Sequence, residues 1–229
     1  MLELATGCWL GFLVGLRHAL DPDHLAAMST LLAEHPRRRR AAILGAWWGV
    51  GHSAALLGAG AVLLLCRVRL PDRAAELFEL AVSAMLIALG ARSIQRAFKA
   101  RVGASVEHAH GNVVHVHQAV EDHFHLRSFT IARRPLLVGL FHGLAGTGAI
   151  TALALASMPG VPAALVYVAL FALGSIGGMA LLTGAAGVPL ARIARRPGAH
   201  AALLACVGAV SLVVGVAWGT PILERLLPS

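Results

Sequence analysis

The sequence predicts an all-α integral membrane protein with six transmembrane helices, arranged as two inverted three-helix repeats. Three observations carry that expectation. Of the 229 residues, 58% are hydrophobic and 13% are charged, whereas about a quarter of the residues in a soluble domain carry charge. The missing charges point to lipid as the solvent. The apolar residues gather into six stretches, near 4–30, 41–66, 74–98, 134–157, 161–187 and 199–222, each long enough to span, since roughly 20 helical residues cross the hydrocarbon. The chain also repeats: Val14-Gly-Leu-Arg-His18-Ala-Leu20 returns as Val138-Gly-Leu-Phe-His142-Gly-Leu144, with five of seven positions shared at an offset of 124.

Three spans in each half force the first to enter from one side of the membrane and the fourth from the other. The halves are then related by inversion, as in many secondary transporters. Residues 1–100 form the first repeat, 101–133 a histidine-rich loop and 134–229 the second repeat. Aromatics make up 5% of the chain, too few for the aromatic girdles of an outer-membrane barrel. A net charge of +8 would suggest nucleic acid in a soluble domain. Here the cations sit in short loops, so topology accounts for them and no nucleic-acid partner is expected. The loops after spans one, three and five hold fourteen Lys and Arg, against four on the other side. The positive-inside rule then sets both termini outside the cytoplasm and the histidine-rich loop inside. The expected location is the inner membrane, in many passes.

Span one begins at an apolar segment without a basic leader, and we read it as a mature helix rather than a signal peptide. It then meets Arg17, His18, Asp21, Asp23 and His24 within eight residues. Each Arg or Asp near the centre of a membrane helix costs about 2.5–3.5 kcal/mol, so the three together cost roughly 8–10 kcal/mol before pairing. Such a cluster is functional by default. On a regular helix Arg17 and Asp21 share a face and can pair. His18, Asp21 and His24 form one stripe there, while Asp23 points about 100° away from His24. His18 and His24 also differ by about 9 Å in rise, whereas a metal sits about 2 Å from each ligand. A straight helix therefore does not gather His18, Asp23 and His24 at one ion. Pro22 lacks an N–H and clashes with the preceding turn, which predicts unwinding there and convergence of the ligands on His52.

Span two holds His52 near its middle, in Trp47-Trp-Gly-Val-Gly-His52-Ser53, where small residues permit close packing. After span three, His108, His110, His115, His117, His123 and His125 fall within 18 residues as three His-x-His pairs, a pattern that binds metal in a labile way. Span four carries His142, the counterpart of His18, followed by Ala145-Gly-Thr-Gly148, which is expected to break that helix as Pro22 breaks the first. His142 is read as a further ligand or a gate element. Span five echoes span two weakly, Gly-Val-Gly-His52-Ser53 against Ala-Leu-Gly-Ser-Ile176. His35 and His200 are expected to be ordinary interfacial residues. Cys8, Cys66 and Cys206 are isolated and are expected to be small buried hydrophobes.

The intramembrane donors His18, Asp21, Asp23, His24, His52 and His142 mix imidazole with carboxylate. Thiolates are absent, which disfavours copper(I), and the set is not all oxygen. Nitrogen with some oxygen suits Ni²⁺, Co²⁺ or Zn²⁺.

These residues also carry a family resemblance. Arg17-His18-Ala-Leu-Asp21-Pro-Asp23-His24 resembles the His-x4-Asp-His signature of the nickel/cobalt transporter family. Trp48-Gly-Val-Gly-His52-Ser53 is similar to that family's second motif. Val138-Gly-Leu-Phe-His142-Gly-Leu-Ala-Gly resembles the shorter urease-accessory-type permeases. The resemblance implies an inner-membrane permease rather than an enzyme, with Ni²⁺ or Co²⁺ as cargo, Zn²⁺ disfavoured, and His18, Asp23 and His24 carrying selectivity. Urease or hydrogenase maturation proteins are the partners it suggests beyond the ion and the bilayer. The best-known members have eight helices against the six expected here. The inside-negative potential favours inward movement of a cation by about 2.3 kcal/mol per charge per 100 mV, and uptake is the expected direction. Three rival readings share the residues. An efflux permease fits the histidine-rich loop, which resembles related efflux proteins. A membrane-embedded metalloenzyme would need a general base and an open metal position, and the chain has no His-Glu-x-x-His. A metallochaperone subunit would deliver the ion without transporting it.

Overall fold

The fold turns on what Pro22 does to the first span. In the computed structural model, α1 (Leu2–His18) stops four residues before it and α2 (Pro22–Glu34) starts on it. Between them the chain tightens into i→i+3 turns, with Leu20 N–H donating to Arg17 C=O at 2.8 Å and Asp21 N–H to His18 C=O at 3.1 Å. Proline at the first position of a helix loses no hydrogen bond, because that N–H has no intrahelical partner. The unwinding expected around Pro22 is present and lies on its N-terminal side. The structure describes residues 2–34, 38–101, 107–110, 113–116, 123–126 and 129–227.

Five further helices follow: α3 (Arg38–Cys66), α4 (Asp72–Arg101), α5 (Arg133–Ser157), α6 (Val161–Ile193) and α7 (Pro197–Leu226). Among the described residues, five helices are long and apolar enough to cross a membrane by length and composition, from Ala41–Cys66 to Gly198–Leu226. The first expected span is not one of them, since it is divided into helices of 17 and 13 residues. Large apolar side chains such as Trp9, Leu181 and Val213 lie outward and exposed, as a lipid-facing surface requires. Cys66 and Cys206 are exposed too, contrary to expectation. In lipid an apolar residue gains little by being inside rather than outside.

The histidine-rich loop carries two short antiparallel hairpins. Strand β1 (Glu107–His110) pairs with β2 (Val113–Val116), with His108 opposite His115; β3 (His123–Leu126) pairs with β4 (Phe129–Ala132), with His125 opposite Thr130. His117 and His35 lie outside the described residues. His200 Nε2–H donates to Ala33 C=O at 2.9 Å, joining α7 to the end of α2.

Helix α1 packs along α6, α3 along both α5 and α6, α4 along α7, and α2 against α7. Glycines set these approaches. Gly15 lies on Phe171 C=O, and Gly139 lies on Trp48 C=O. Gly51 meets Leu136 C=O, and Gly174 meets Phe12 C=O. A Cβ at any of the four would overlap the neighbouring backbone. Contact order along the chains makes α1 parallel to α6 and α3 parallel to α5, while α3 and α6 run antiparallel. Buried serines reinforce the seams: Ser53 Oγ–H donates to Ala172 C=O at 3.1 Å, and Ser83 to Gly215 C=O at 2.7 Å. Interhelical bonds and close small-residue contacts are how helices associate where hydrophobicity provides no drive.

Candidate metal centre

The break before Pro22 aims two sets of side chains at one place. Above it, His18 closes α1. Below it, Asp23 and His24 lie in the first turn of α2, and α3 and α5 bring His52 and His142 from the side. The rings of His18 and His24 have centroids 4.4 Å apart, as do those of His24 and His142. The His24 and His52 rings are 5.0 Å apart. His24, His52 and His142 are 1%, 1% and 3% exposed. Proline-driven unwinding thus performs the convergence that a regular helix forbids.

Hydrogen bonds fix part of the arrangement. His18 Nδ1–H donates to Asp21 Oδ2 at 2.6 Å. In the neutral ring Nε2 then carries the lone pair, and it accepts from His52 Nε2–H at 3.2 Å. His142 Nε2–H donates to Asp23 Oδ2 at 2.7 Å, which joins the two halves of the chain inside the bundle. The Arg17–Asp21 pair expected from helical spacing is not formed. The helix ends at His18, so the four-residue register is lost and Asp21 turns to His18 instead. A carboxylate that holds one ring nitrogen fixes the tautomer and orientation of an imidazole whose other nitrogen faces a metal.

Other atoms have no partner. Asp23 Oδ1, both ring nitrogens of His24, His52 Nδ1 and His142 Nδ1 are buried without a hydrogen bond. Each such atom costs about 1–3 kcal/mol, and nitrogen and carboxylate donors left in this state suit a divalent transition metal. Two groups have the spacing to hold an ion: His18, His24 and His52, and Asp23, His24 and His142, with the ligating atoms of each group within 4.8 Å of one another.

Two walls of this centre escape the sequence reading. Phe171 lies 5.1 Å from the His18 ring, and Trp48 lies 5.4 Å from His24 and 5.7 Å from His142. Their signal is the echo between spans two and five: carried one residue further back, it aligns Trp48 with Phe171. One expectation fails. Ala145-Gly-Thr-Gly148 does not break the helix, and α5 is continuous from Arg133 to Ser157. Glycine disfavours a helix by only about 1 kcal/mol, whereas an unpaired backbone group in lipid costs several. Thr147 Oγ1–H also donates back to Gly143 C=O at 2.9 Å.

A bundle of long apolar helices defines a multi-pass membrane protein, here built around a buried imidazole–carboxylate cluster. Residues 5–217 match the NicO family, described as high-affinity nickel-transport protein, and the chain belongs to that family. It is a family of transporters for Ni²⁺, not of enzymes. The chain is 29% identical to urease accessory protein UreH of Bacillus sp. (strain TB-90) over 217 residues, 94% of this chain and 91% of that protein. It is 30% identical over 183 residues to chloroplast protein FOR GROWTH AND FERTILITY 2 of Arabidopsis thaliana, covering 79% of this chain and 47% of that one. No solved structure matches.

Proposed function

We propose that the chain is a secondary permease carrying Ni²⁺ or Co²⁺ inward across the cytoplasmic membrane. His18, Asp23, His24, His52 and His142 supply ligands to the desolvated ion, and Asp21 holds the His18 ring. The observation that carries this reading is the meeting of donors from α1, α2, α3 and α5 in two buried groups that share His24, in a chain of the nickel-transport family.

The packing supports six crossings in two inverted halves. Let α1 and α2 together correspond to α5, α3 to α6, and α4 to α7. The exchange then turns the α1–α6 contact into the α5–α3 contact and maps the α3–α6 and α4–α7 contacts onto themselves. Details follow: Gly15 on Phe171 answers Gly139 on Trp48, and Gly51 on Leu136 answers Gly174 on Phe12. The parallel and antiparallel senses agree with α1 and α2 acting as one crossing. Halves that rock about a central site are a common transport device. With both termini outside, His108, His110, His115, His117, His123 and His125 collect the ion on the cytoplasmic side. The similarity to a urease accessory protein supports urease maturation as the destination of the metal, with hydrogenase maturation the alternative.

The test is Ni²⁺ and Co²⁺ accumulation in cells expressing the wild type or His18→Ala. Accumulation should rise with the wild type and fall to background with the variant; equal values in the two would overturn the reading. Proteoliposomes with an imposed gradient and potential report direction. Net export under an inside-negative potential would favour the efflux alternative.

A further inference from the structure

Resting on that permease reading, we propose that His24 is a pivot shared by two alternative metal positions, His18–His24–His52 and Asp23–His24–His142. The ion passes from one to the other without leaving His24.

Two ligands of one ion stand at most about 4.2 Å apart when each metal–ligand bond is about 2.1 Å. Each triad is near that limit, with its ligating atoms within 4.8 Å. Among the described residues, no group of three or more within that limit joins His52 to His142, or His18 to Asp23. Closing all five around one ion would require α3 and α5 to move together. Their backbones already touch, since Gly139 lies on Trp48 C=O and Gly143 on His52 C=O. The ion must therefore move rather than the helices.

His24 is built for both positions. It is 1% exposed, and neither ring nitrogen has a hydrogen-bond partner. Its Nδ1 lies 3.6 Å from Asp23 Oδ1, and its ring sits 4.4 Å from both His18 and His142. Three protein donors leave a coordination position open on a four-coordinate ion. An incoming ligand can take that position before the outgoing one departs, so the ion is never bare in a low-dielectric medium. The positions differ in chemistry: one is all imidazole, and the other adds the Asp23 carboxylate. Simultaneous occupancy is opposed because a neutral imidazole offers one nitrogen lone pair at a time, and because two divalent charges so close would repel with little screening. The contacts between Gly139–Gly143 and Trp48–His52 set His52 and His142 at one depth, so the hand-off runs sideways between α3 and α5.

Co²⁺ serves as the probe, because its visible absorption reports the ligand set. Purified full-length protein in detergent, with His108, His110, His115, His117, His123 and His125 replaced by glutamine in every chain compared, should bind one Co²⁺ per chain. His52→Gln and His142→Gln should each keep one Co²⁺ with spectra that differ from each other, and each should lose transport in proteoliposomes by at least about tenfold. His24→Gln should lose binding altogether. Asparagine variants replace any of these that do not elute as the wild type in size exclusion. Three outcomes overturn the pivot while the permease reading stands: loss of all binding in His52→Gln or His142→Gln, undiminished transport in either, or two Co²⁺ per chain when the loop histidines are replaced and His24 is intact. A wild type that neither binds nor carries Co²⁺ or Ni²⁺ overturns both.

Discussion

The segment from His18 to His24 and the segment from His142 to Gly148 begin alike and end differently. Both open on Gly-Leu-x-His at corresponding places in the two halves. The first carries proline and breaks into α1 and α2; the second carries Gly-Thr-Gly and runs on as α5. Proline removes a donor and adds a clash; the chain breaks ahead of Pro22, whereas α6 and α7 run on through Pro189 and Pro221. Glycine only lowers a preference that the bilayer overrides. As a result, His18, Asp23, His24 and His52 come from the first half and His142 alone from the second. The proposed repeat thus bears an asymmetric donor cluster.

The comparison can be broken most directly at Pro22. Pro22→Ala permits i→i+4 bonding through residues 18–25, which swings Asp23 away from His142 and lifts His18 off His52. Uptake into proteoliposomes should fall by at least about tenfold, and a wild-type rate would show that the break is dispensable. Next in size is Asp21→Asn, which weakens the hold on His18 Nδ1. Ni²⁺ affinity by equilibrium dialysis should drop about 10–100-fold with the number of bound ions unchanged. Gly143→Ala tests the α3–α5 seam. Its Cβ would overlap His52 C=O, and overpacking of this kind costs about 1–3 kcal/mol, readable as a lower Tm in detergent. The smallest effect belongs to Gly146→Ala. Nothing lies within 4 Å of a Cβ there, so the change should stabilise α5 by about 0.5–1 kcal/mol and leave transport intact. A loss of transport in this variant would mean that α5 must open as α1–α2 does.

Much of the site was legible before any coordinates. Five ionisable residues in one membrane span, a proline among them and a histidine in the next span state a problem of burial whose economical solution is a metal ligand set. His142 was legible as the echo of His18, but its bond to Asp23 was not, because 119 residues separate the two. The expected Arg17–Asp21 pair assumed a regular helix in the very stretch where proline was expected to end one. The expected break at Gly-Thr-Gly treated glycine in lipid as though water were available to receive the freed backbone.

The sequence by itself determined the solvent, the number of apolar stretches, the chemistry of the donors and the proline at which the first span could break. These follow from composition, hydropathy and the covalent geometry of proline, all of them local properties. Tertiary structure alone decided that the donors form two overlapping triads on His24, that aromatic side chains from both halves wall them, and that α5 stays whole. Each of those outcomes depends on which backbones come to lie against one another, as Gly143 does on His52, and on the cost of leaving a polar group unpaired in lipid.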